Sequence, residues 1–299
     1  MEASKVRRLE LRVTPELAGV KVDTLLKKHM GLSGTVVRRI KWLEDGILAD
    51  GRRVTTRYCP QDGEVLSVRL SDEQRRSGIV PRPGPLDIVY EDGDMIVLNK
   101  SAGVSVHPGP GHFYDTIGNF LLDYYDSKGE PSDFHPVHRL DRGTTGLLVA
   151  AKHPHAQEVL KNQLHTSGFQ RTYLAICQGV PQPPASVIDA PIGPKPGSLM
   201  EQMVRADGKP ARTHYRTLSL HSGRALVELR LDTGRTHQIR VHMAHIGHPL
   251  LGDFLYGQED RELIPRAALH SVRLALRHPI TGQEMTFTAP LPEDMRHLL

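Results

Sequence analysis

The sequence has few cysteines and no long apolar segment. Cys59 and Cys177 are the only two cysteines in 299 residues. Two are too few for a disulfide framework and fit a reducing cytoplasm. No apolar run is long enough to cross a bilayer, so we expect no membrane anchor. The first residues, "MEASKVRRLELRV", have no apolar core behind their basic residues, so we expect no signal peptide.

Residue patterns typical of nucleotide and metal sites are also missing. The stretches "DTGRTH" and "SAGVSVHPGPG" lack the spacing of a mononucleotide-binding loop. His242, His245 and His248 are close in sequence, but their spacing suits one helical face poorly and no cysteine or acidic residue stands among them. Because a closed metal site needs several ligands, we expect no metal ion.

Positive charge is concentrated in the first quarter of the chain. Residues 1–70 contain 14 Lys and Arg against 9 Asp and Glu, whereas residues 71–299 contain 24 against 25. A small basic segment on a near-neutral body indicates an anionic polymer held beside a catalytic surface. The charge distribution by itself is equally consistent with a basic domain that has no polyanionic partner.

Residues 12–70 have the pattern of a compact α/β module. Apolar residues from Val20 to Met30 have helical spacing, and Ser33 can cap a second helix. Asp50-Gly51 is a strong signal for a tight hairpin between short strands, and "GEVLSVRL" alternates as a further strand. Trp42 lies beside Ile40 and Leu43 in sequence, which assigns it to the core of the module.

The rest of the chain divides into a linker and a larger domain. Residues 71–85 are polar and rich in proline, which is typical of a linker. Residues 86–299 contain three predicted hairpins, a strand-helix-strand unit and a helix in "RTHQIRVHMAHIG" that ends at Gly247. Because hairpins outnumber strand-helix-strand units, we expect an α+β domain with a mainly antiparallel sheet.

The stretch "HRLDRGTTGLL" places one carboxylate, Asp141, between Arg139 and Arg142. Neighbouring cations favour the charged form of a carboxylate, so Asp141 suits the role of nucleophile or proton acceptor better than that of general acid. The arginines can also bind phosphate through bidentate contacts. The alternative, which the spacing favours slightly, is an aspartate that only satisfies the N–H groups of its own turn.

Longer motifs in a fixed order carry a resemblance. "VLNKSAGVSVHP", "HRLDRGTTGLL", "RTYLAICQG", "LDTGRTHQIRVHMAHIGHPLLGDFLYG" and "LHSVRLALRHP" are together similar to the RluA/RluD-type pseudouridine synthases from about Leu86 onward. The capped basic helix and "DGILADGRRV" resemble the alpha-L RNA-binding motif that many members carry as an accessory domain. Ser101 and Thr145 stand where proline and serine are common in the family.

The resemblance implies an isomerase that converts uridine to pseudouridine in folded RNA without cofactor or metal. It implies that Asp141 is the essential aspartate, that Arg240 pairs with it, and that Tyr173 stacks on the uracil and assists proton removal. Arg139 would fill the place of the flipped base. Further RNA and substrate contacts are expected from His138, Arg142, Leu269, Arg38, Arg39 and Lys41.

Several alternatives stay open on the sequence alone. Large-subunit ribosomal RNA is the favoured substrate and transfer RNA the alternative. An RNA-binding ribosome assembly factor on the same fold and a glycoside or nucleoside hydrolase are the competing functions. We expect a cytoplasmic, bacterial protein that acts as a monomer.

Overall fold

The computed structural model describes residues 6–72, 74–164 and 166–299. A small four-stranded antiparallel sheet with the order β1-β4-β2-β3 comes first. Its strands and helices are β1 (Arg8–Arg12), α1 (Val22–Thr24) with a following π-helical turn (Leu25–His29), α2 (Gly34–Ile40), β2 (Ile47–Ala49), β3 (Arg52–Arg53) and β4 (Val65–Arg69). This sheet begins at Arg8, four residues before the predicted start of the module.

The larger part of the chain forms a second sheet with helices on both faces. Its strands are β5 (Ile88–Glu91), β6 (Met95–Lys100), β7 (His135–Pro136), β8 (Thr145–Ala151), β9 (Phe169–Gln178), β10 (Ala185–Asp189), β13 (Arg212–His221), β14 (Arg224–Leu231), β15 (Leu269–Arg277) and β16 (Glu284–Thr288). The helices are α3 (Ile117–Ser127), α4 (Pro154–Gln163), α5 (Gln238–His245) and α6 (Glu293–Arg296), and β11 (Ile192–Pro194) pairs separately with β12 (Gln202–Val204).

The strand order of the large sheet is β10-β13-β14-β9-β15-β8-β6-β5, with β16 beside β15 and β7 beside β8. Within the described residues every pairing is antiparallel except that of β8 with β15. The predicted α+β class with a mainly antiparallel sheet is therefore confirmed. Each predicted hairpin forms, and the turn at Ser222-Gly223 has positive φ angles of 47° and 77°, as a tight hairpin requires.

The large sheet has a hydrophobic core on each face, and β8 contributes alternate side chains to both. Leu148 and Ala150 pack on one face with α3, whereas Leu147 and Val149 pack on the other with α4. Successive side chains of a strand point to opposite faces, so a strand covered on both faces is apolar throughout. This buried strand fixes the position of the Asp141 turn, which immediately precedes it.

Gly146 lies at the point where β8 meets β15. Its φ is +102°, and a Cβ there would lie 2.3 Å from the carbonyl oxygen of Ser271, its partner in the parallel pairing. Such an approach leaves no room for a side chain. The glycine therefore lets the strand that carries the Asp141 turn join the strand that begins with Leu269.

We expect Gly146→Ala to lower the free energy of unfolding by at least about 3 kcal/mol, because positive φ and a backbone clash add. Gly282→Ala is the matched control, since Gly282 has φ +70° but open space around its Cβ position. The control should lose only about 1–2 kcal/mol. Urea unfolding of both variants tests this, and equal losses would contradict the close-approach explanation.

Two features of the first module differ from the sequence predictions. The helix expected from Val20 to Met30 is a short α-helix that continues as a π-helical turn. Trp42 was wrongly assigned to the core, because its side chain is 75% exposed. Helix α2 buries Val36, Val37 and Ile40, and a residue two positions beyond Ile40 lies on the opposite side of a helical turn.

The described residues of the predicted linker, 71–72 and 74–85, contact the large domain. The Arg75 guanidinium forms an ion pair with Asp126 on α3, and Asp72 is buried against His135. The first module is also attached directly, since Arg7 binds Asp94 through two hydrogen bonds and Ser33 donates to Glu158 at 2.6 Å. These contacts attach both the segment and the first module to the large domain.

None of the helices in the described ranges has the length and apolar character needed to cross a membrane.

Candidate active site

A cavity of about 280 Å³ opens where the turn before β8, strand β9 and the N-terminus of α5 meet. It is lined by Val137, His138, Arg139, Leu140, Asp141, Thr144, Leu164, Arg171, Tyr173, Leu231, residues 234–240 and Leu269. The cavity thus brings together Asp141, Tyr173, Arg240, His138, Arg139 and Leu269 of the predicted site. It does not include Arg142, Arg38, Arg39 or Lys41.

The carboxylate of Asp141 points into this cavity and away from its own turn. The turn is closed by the backbone, with the Thr144 N–H donating to the Asp141 carbonyl at 3.0 Å. The nearest cations are Arg240 Nη1 at 3.5 Å and His237 Nε2 at 4.0 Å from Oδ2 of Asp141. The carboxylate therefore remains available for chemistry, contrary to the alternative of a purely turn-forming aspartate.

The sequence neighbours of Asp141 do not supply these cations. Arg142 is exposed and its Nε donates to the Gly103 carbonyl at 2.8 Å. Arg139 is exposed at the cavity and forms no ion pair in residues 6–72, 74–164 and 166–299. The expectation that these two arginines hold the carboxylate charged is corrected in this respect. Residues next to each other in a turn project in different directions, and the ion pair comes from α5 instead.

Asp253 holds Arg240 in place. The Nε and Nη2 groups of Arg240 each donate to Asp253 at 2.7 Å, and the Asp253 side chain is fully buried. Burial works against the charge of Arg240, but the hydrogen bonds to Asp253 raise its pKa overall. Two of the three guanidinium nitrogens are thus committed to Asp253, which leaves Nη1 for Asp141. Sequence reasoning missed Asp253, although "LLGDF" placed an acid in a motif.

Two buried cations hold the Asp141 turn against its neighbours. Nζ of Lys100 donates to the carbonyls of Ser101, Val104 and Arg142 at 2.8–3.1 Å. Burial lowers the pKa of Lys100 to about 7, yet three acceptors suit the ammonium form with its three donors. Arg266 binds the Gly143 and Leu269 carbonyls, each at 3.1 Å. These contacts fix the distance between the turn and the first residue of β15.

His237 begins α5 in a left-handed conformation with φ 57°, which is uncommon for a residue other than glycine. The Tyr256 hydroxyl accepts from the Gln202 N–H at 2.8 Å and lies 2.8 Å from His237 Nδ1. The hydroxyl can therefore donate its own proton to Nδ1, an arrangement in which the ring proton lies on Nε2, on the side of Asp141. Burial lowers the pKa of His237, in agreement with a neutral ring.

We expect Tyr256→Phe to lower the single-turnover rate of the reaction catalysed in this cavity about 3- to 10-fold. This is the effect of losing one hydrogen bond, here the bond to His237. Without the donor at Nδ1 the ring is protonated more easily, so the pKa of His237 should rise. The acidic limb of the pH–rate profile should then move to higher pH. Tyr114→Phe is the control, because Tyr114 is an exposed tyrosine outside the cavity. A variant with the wild-type profile would contradict the assigned role of Tyr256.

Tyr173 and Leu269 belong to the apolar part of the cavity. Both are 4% exposed, and their strands β9 and β15 are paired so that Leu269 stands opposite Ala175. Burial raises the pKa of Tyr173, so its phenol is neutral at neutral pH. An aromatic ring and an aliphatic wall beside a carboxylate can hold a planar, weakly polar ring out of water.

Comparison with known proteins agrees with this arrangement. Residues 94–245, about half of the chain, match the model of a family described as RNA pseudouridylate synthase. The chain belongs to the RNA pseudouridylate synthase family. It is an RNA pseudouridine synthase, an isomerase, as the sequence motifs predicted.

Individual relatives align with most of this chain. An uncharacterized RNA pseudouridine synthase of Bacillus subtilis, YjbO, is 40% identical over 91% of this chain and 95% of that protein. The ribosomal large subunit pseudouridine synthase D of Vibrio cholerae is 43% identical over 85% of this chain and 83% of that protein. The solved structure of human RNA pseudouridylate synthase domain containing 4 has a TM-score of 0.57 at 27% identity, and covers 71% of this chain and 90% of that one.

His138 packs in the wall of the cavity as a neutral ring. Its Nε2 accepts from the Val149 N–H at 3.4 Å, and its ring packs edge-on against Phe169. Burial lowers the pKa of His138 to about 3, so the ring is neutral. A neutral, half-buried imidazole has little attraction for phosphate, and the RNA contact of His138 stays a prediction.

The predicted basic contacts on the first module separate into two groups. Arg38 and Lys41 lie at the end of α2, and Arg38 is exposed. Arg39 instead forms an ion pair with the buried Asp72. Because Asp72 also binds His135 of the large domain, Arg39 serves to attach the module and is not free for RNA as predicted.

Two of the three histidines in and after α5, His242 and His248, have hydrogen-bond partners within the protein. His242 is buried between Thr213 Oγ1 and the Ala190 carbonyl, and His248 bonds the Gln178 carbonyl. In the described part of the chain, the group of three potential ligands that does form is Asp92, Asp94 and His278. Asp94 is already bound by Arg7 and His153, so this group is explained as an ion-pair network.

Proposed function

We propose that the synthase isomerises uridines of large-subunit ribosomal RNA, with transfer RNA as the alternative substrate. The relative from Vibrio cholerae is named for the ribosomal large subunit, and it aligns with 85% of this chain. A ribosomal substrate in a bacterium implies a cytoplasmic enzyme.

The observation that carries the mechanism is one carboxylate, Asp141, held 3.5 Å from Arg240 in a cavity with an aromatic and an aliphatic wall. The target uridine must leave the base stack to enter it, at a cost of a few kcal/mol. The bond between N1 and the ribose is broken, the uracil turns in the cavity, and C5 bonds to the ribose. The proton at C5 leaves, and N1 gains a proton.

Three side chains of the cavity have roles in these steps. Asp141 acts as nucleophile or proton acceptor, because its carboxylate lines the cavity and its nearest cation is Arg240 at 3.5 Å. Tyr173 stacks on the uracil and Leu269 closes the pocket, so the detached base is kept from water. The neutral phenol of Tyr173 favours stacking over direct base catalysis, and proton removal at C5 then falls to Asp141.

A groove of about 620 Å³ continues from the cavity along the surface. It shares Leu164, Arg171 and Leu231 with the cavity and also contains Arg216 and Arg230, which both form ion pairs with Glu228 at 3.3 Å. Arg171 is buried and has no carboxylate partner within the described ranges. A buried cation without a partner is costly, and an RNA phosphate would supply the missing charge. We assign Arg139, Arg142 and this groove to the RNA strands that flank the flipped uridine.

The choice of substrate is tested by incubating the purified chain with transcripts of large-subunit RNA, small-subunit RNA and transfer RNA. Pseudouridines are then mapped at single-nucleotide resolution. We expect new sites in the large-subunit transcript alone, formed without added cofactor. Modification of transfer RNA alone would move the proposal to its alternative. Binding without modification of any transcript would favour an assembly factor.

A further inference from the structure

Trp42 is a large apolar side chain on the surface of the first module. The sequence contains one tryptophan, and this residue is 75% exposed. Single exposed apolar residues are common, so exposure alone does not indicate a site. A tryptophan can bury 150–250 Å², however, and its position outside the core leaves the ring free to contact a partner.

Three cationic residues belong to the same part of the module as Trp42. Lys41 Nζ lies over one face of the Trp42 ring, 4.8 Å from its centre, which leaves the opposite face for a base. Arg53 reaches back from the exposed edge strand β3, with Nη2 3.5 Å from the Trp42 carbonyl. Arg38 is exposed one helical turn before, on α2. The ring and the three cations form the Trp42 patch: Arg38, Lys41, Trp42 and Arg53.

The acidic residues nearby do not cancel this charge. Asp45 is paired with Arg69 at 2.9 Å and with Arg8 at 3.3 Å. Glu44 is the remaining exposed acid beside the patch. One aromatic plane with three cations and one acid is complementary to a nucleic acid, in which planar bases alternate with phosphates.

We propose that the Trp42 patch binds an unpaired base of the substrate RNA, away from the flipped uridine, by stacking on Trp42. Lys41, Arg38 and Arg53 bind the phosphates on either side of that base. The proposal rests on the RNA substrate argued above and adds a second point of attachment on the first module. The occupant is a loop or bulge, because bases within a duplex offer no free plane for stacking.

The single tryptophan makes the proposal directly measurable in the full-length protein. A short oligoadenylate should quench the intrinsic fluorescence and protect Trp42 from acrylamide. An RNA duplex of equal phosphate number should bind without comparable quenching. Fluorescence that stays unchanged while the anisotropy of labelled oligoadenylate shows binding would overturn the proposal. Emission that shifts with protein concentration in the absence of RNA would assign the patch to a second copy of the chain, and would also overturn it.

Variants separate stacking from charge and from catalysis. Trp42→Ala should raise the half-saturating concentration of substrate RNA about 5-fold or more, as loss of one stacked base does, while Trp42→Phe should retain most of the affinity. The exposed Leu220 provides a control, and Leu220→Ala should bind like the wild type. If Trp42→Ala binds normally while Asp141→Asn is inactive, the patch is wrong and the proposed function stands. If Asp141→Asn is active, the proposed function fails independently of the patch.

Discussion

Replacing Asp141 by Asn is expected to lower the rate of pseudouridine formation at saturating RNA by about 10²- to 10⁴-fold or more. Asn keeps the size of the side chain but removes the nucleophile or proton acceptor. RNA binding should be retained, since the change removes one negative charge from a surface that binds phosphate. Release of tritium from uridine labelled at C5 measures the rate, and filter binding measures the affinity.

The control for Asp141→Asn is Glu284→Gln on β16, an exposed carboxylate whose ion partner is Arg277. It should have wild-type activity, which shows that the loss of a carboxylate elsewhere is harmless. Circular dichroism establishes that both variants are folded. Activity of Asp141→Asn within a few-fold of wild type would remove Asp141 from the mechanism.

The second large effect is expected at Asp253. Asp253→Asn should lower the free energy of unfolding by about 3–5 kcal/mol, because it leaves the buried Arg240 without its charge partner. Activity should fall by at least about tenfold as well, since Arg240 is no longer held towards Asp141 by its two bonds to Asp253. Urea unfolding and single-turnover kinetics measure the two effects.

A double variant separates stability from catalysis at this pair. Arg240→Met combined with Asp253→Asn removes both charges, so the stability should recover relative to Asp253→Asn alone. The activity should not recover, because Asp141 then has no guanidinium beside it. A double variant with restored activity would show that Arg240 does not act on Asp141. A single variant with unchanged stability would show that the buried pair is not formed.

Local turn chemistry explains which parts of the fold could be predicted. Asp50-Gly51 and Ser222-Gly223 both adopt positive φ angles, and short signals of this kind need no tertiary information. The parallel pairing of β8 with β15 joins residues more than 120 positions apart. Nothing in either strand identifies the partner, so the junction at Gly146 was not predicted.

In the site, too, the residues in local motifs were predicted and those that act through tertiary contacts were not. Asp141, Tyr173 and Arg240 stood in recognisable motifs, and the structure places all three at one cavity. Asp253 and Tyr256 act through contacts with α5 that form only when the following loop folds back on it. Trp42 was assigned to the core from its neighbours in sequence, whereas α2 ends at Ile40 and the side chain of Trp42 is exposed. Adjacent position in the chain is a poor guide to side-chain direction beyond the end of a helix.

The central claim is that Asp141 serves an isomerisation in which the uracil never leaves the protein. The most direct measurement follows RNA that carries uridine labelled with tritium at C5 and with carbon-14 in the ring, incubated with the purified chain alone. The account predicts one tritium released for each pseudouridine formed, with all carbon-14 retained in the RNA. Free labelled uracil in solution would contradict it, because it would identify a hydrolase acting at the same bond.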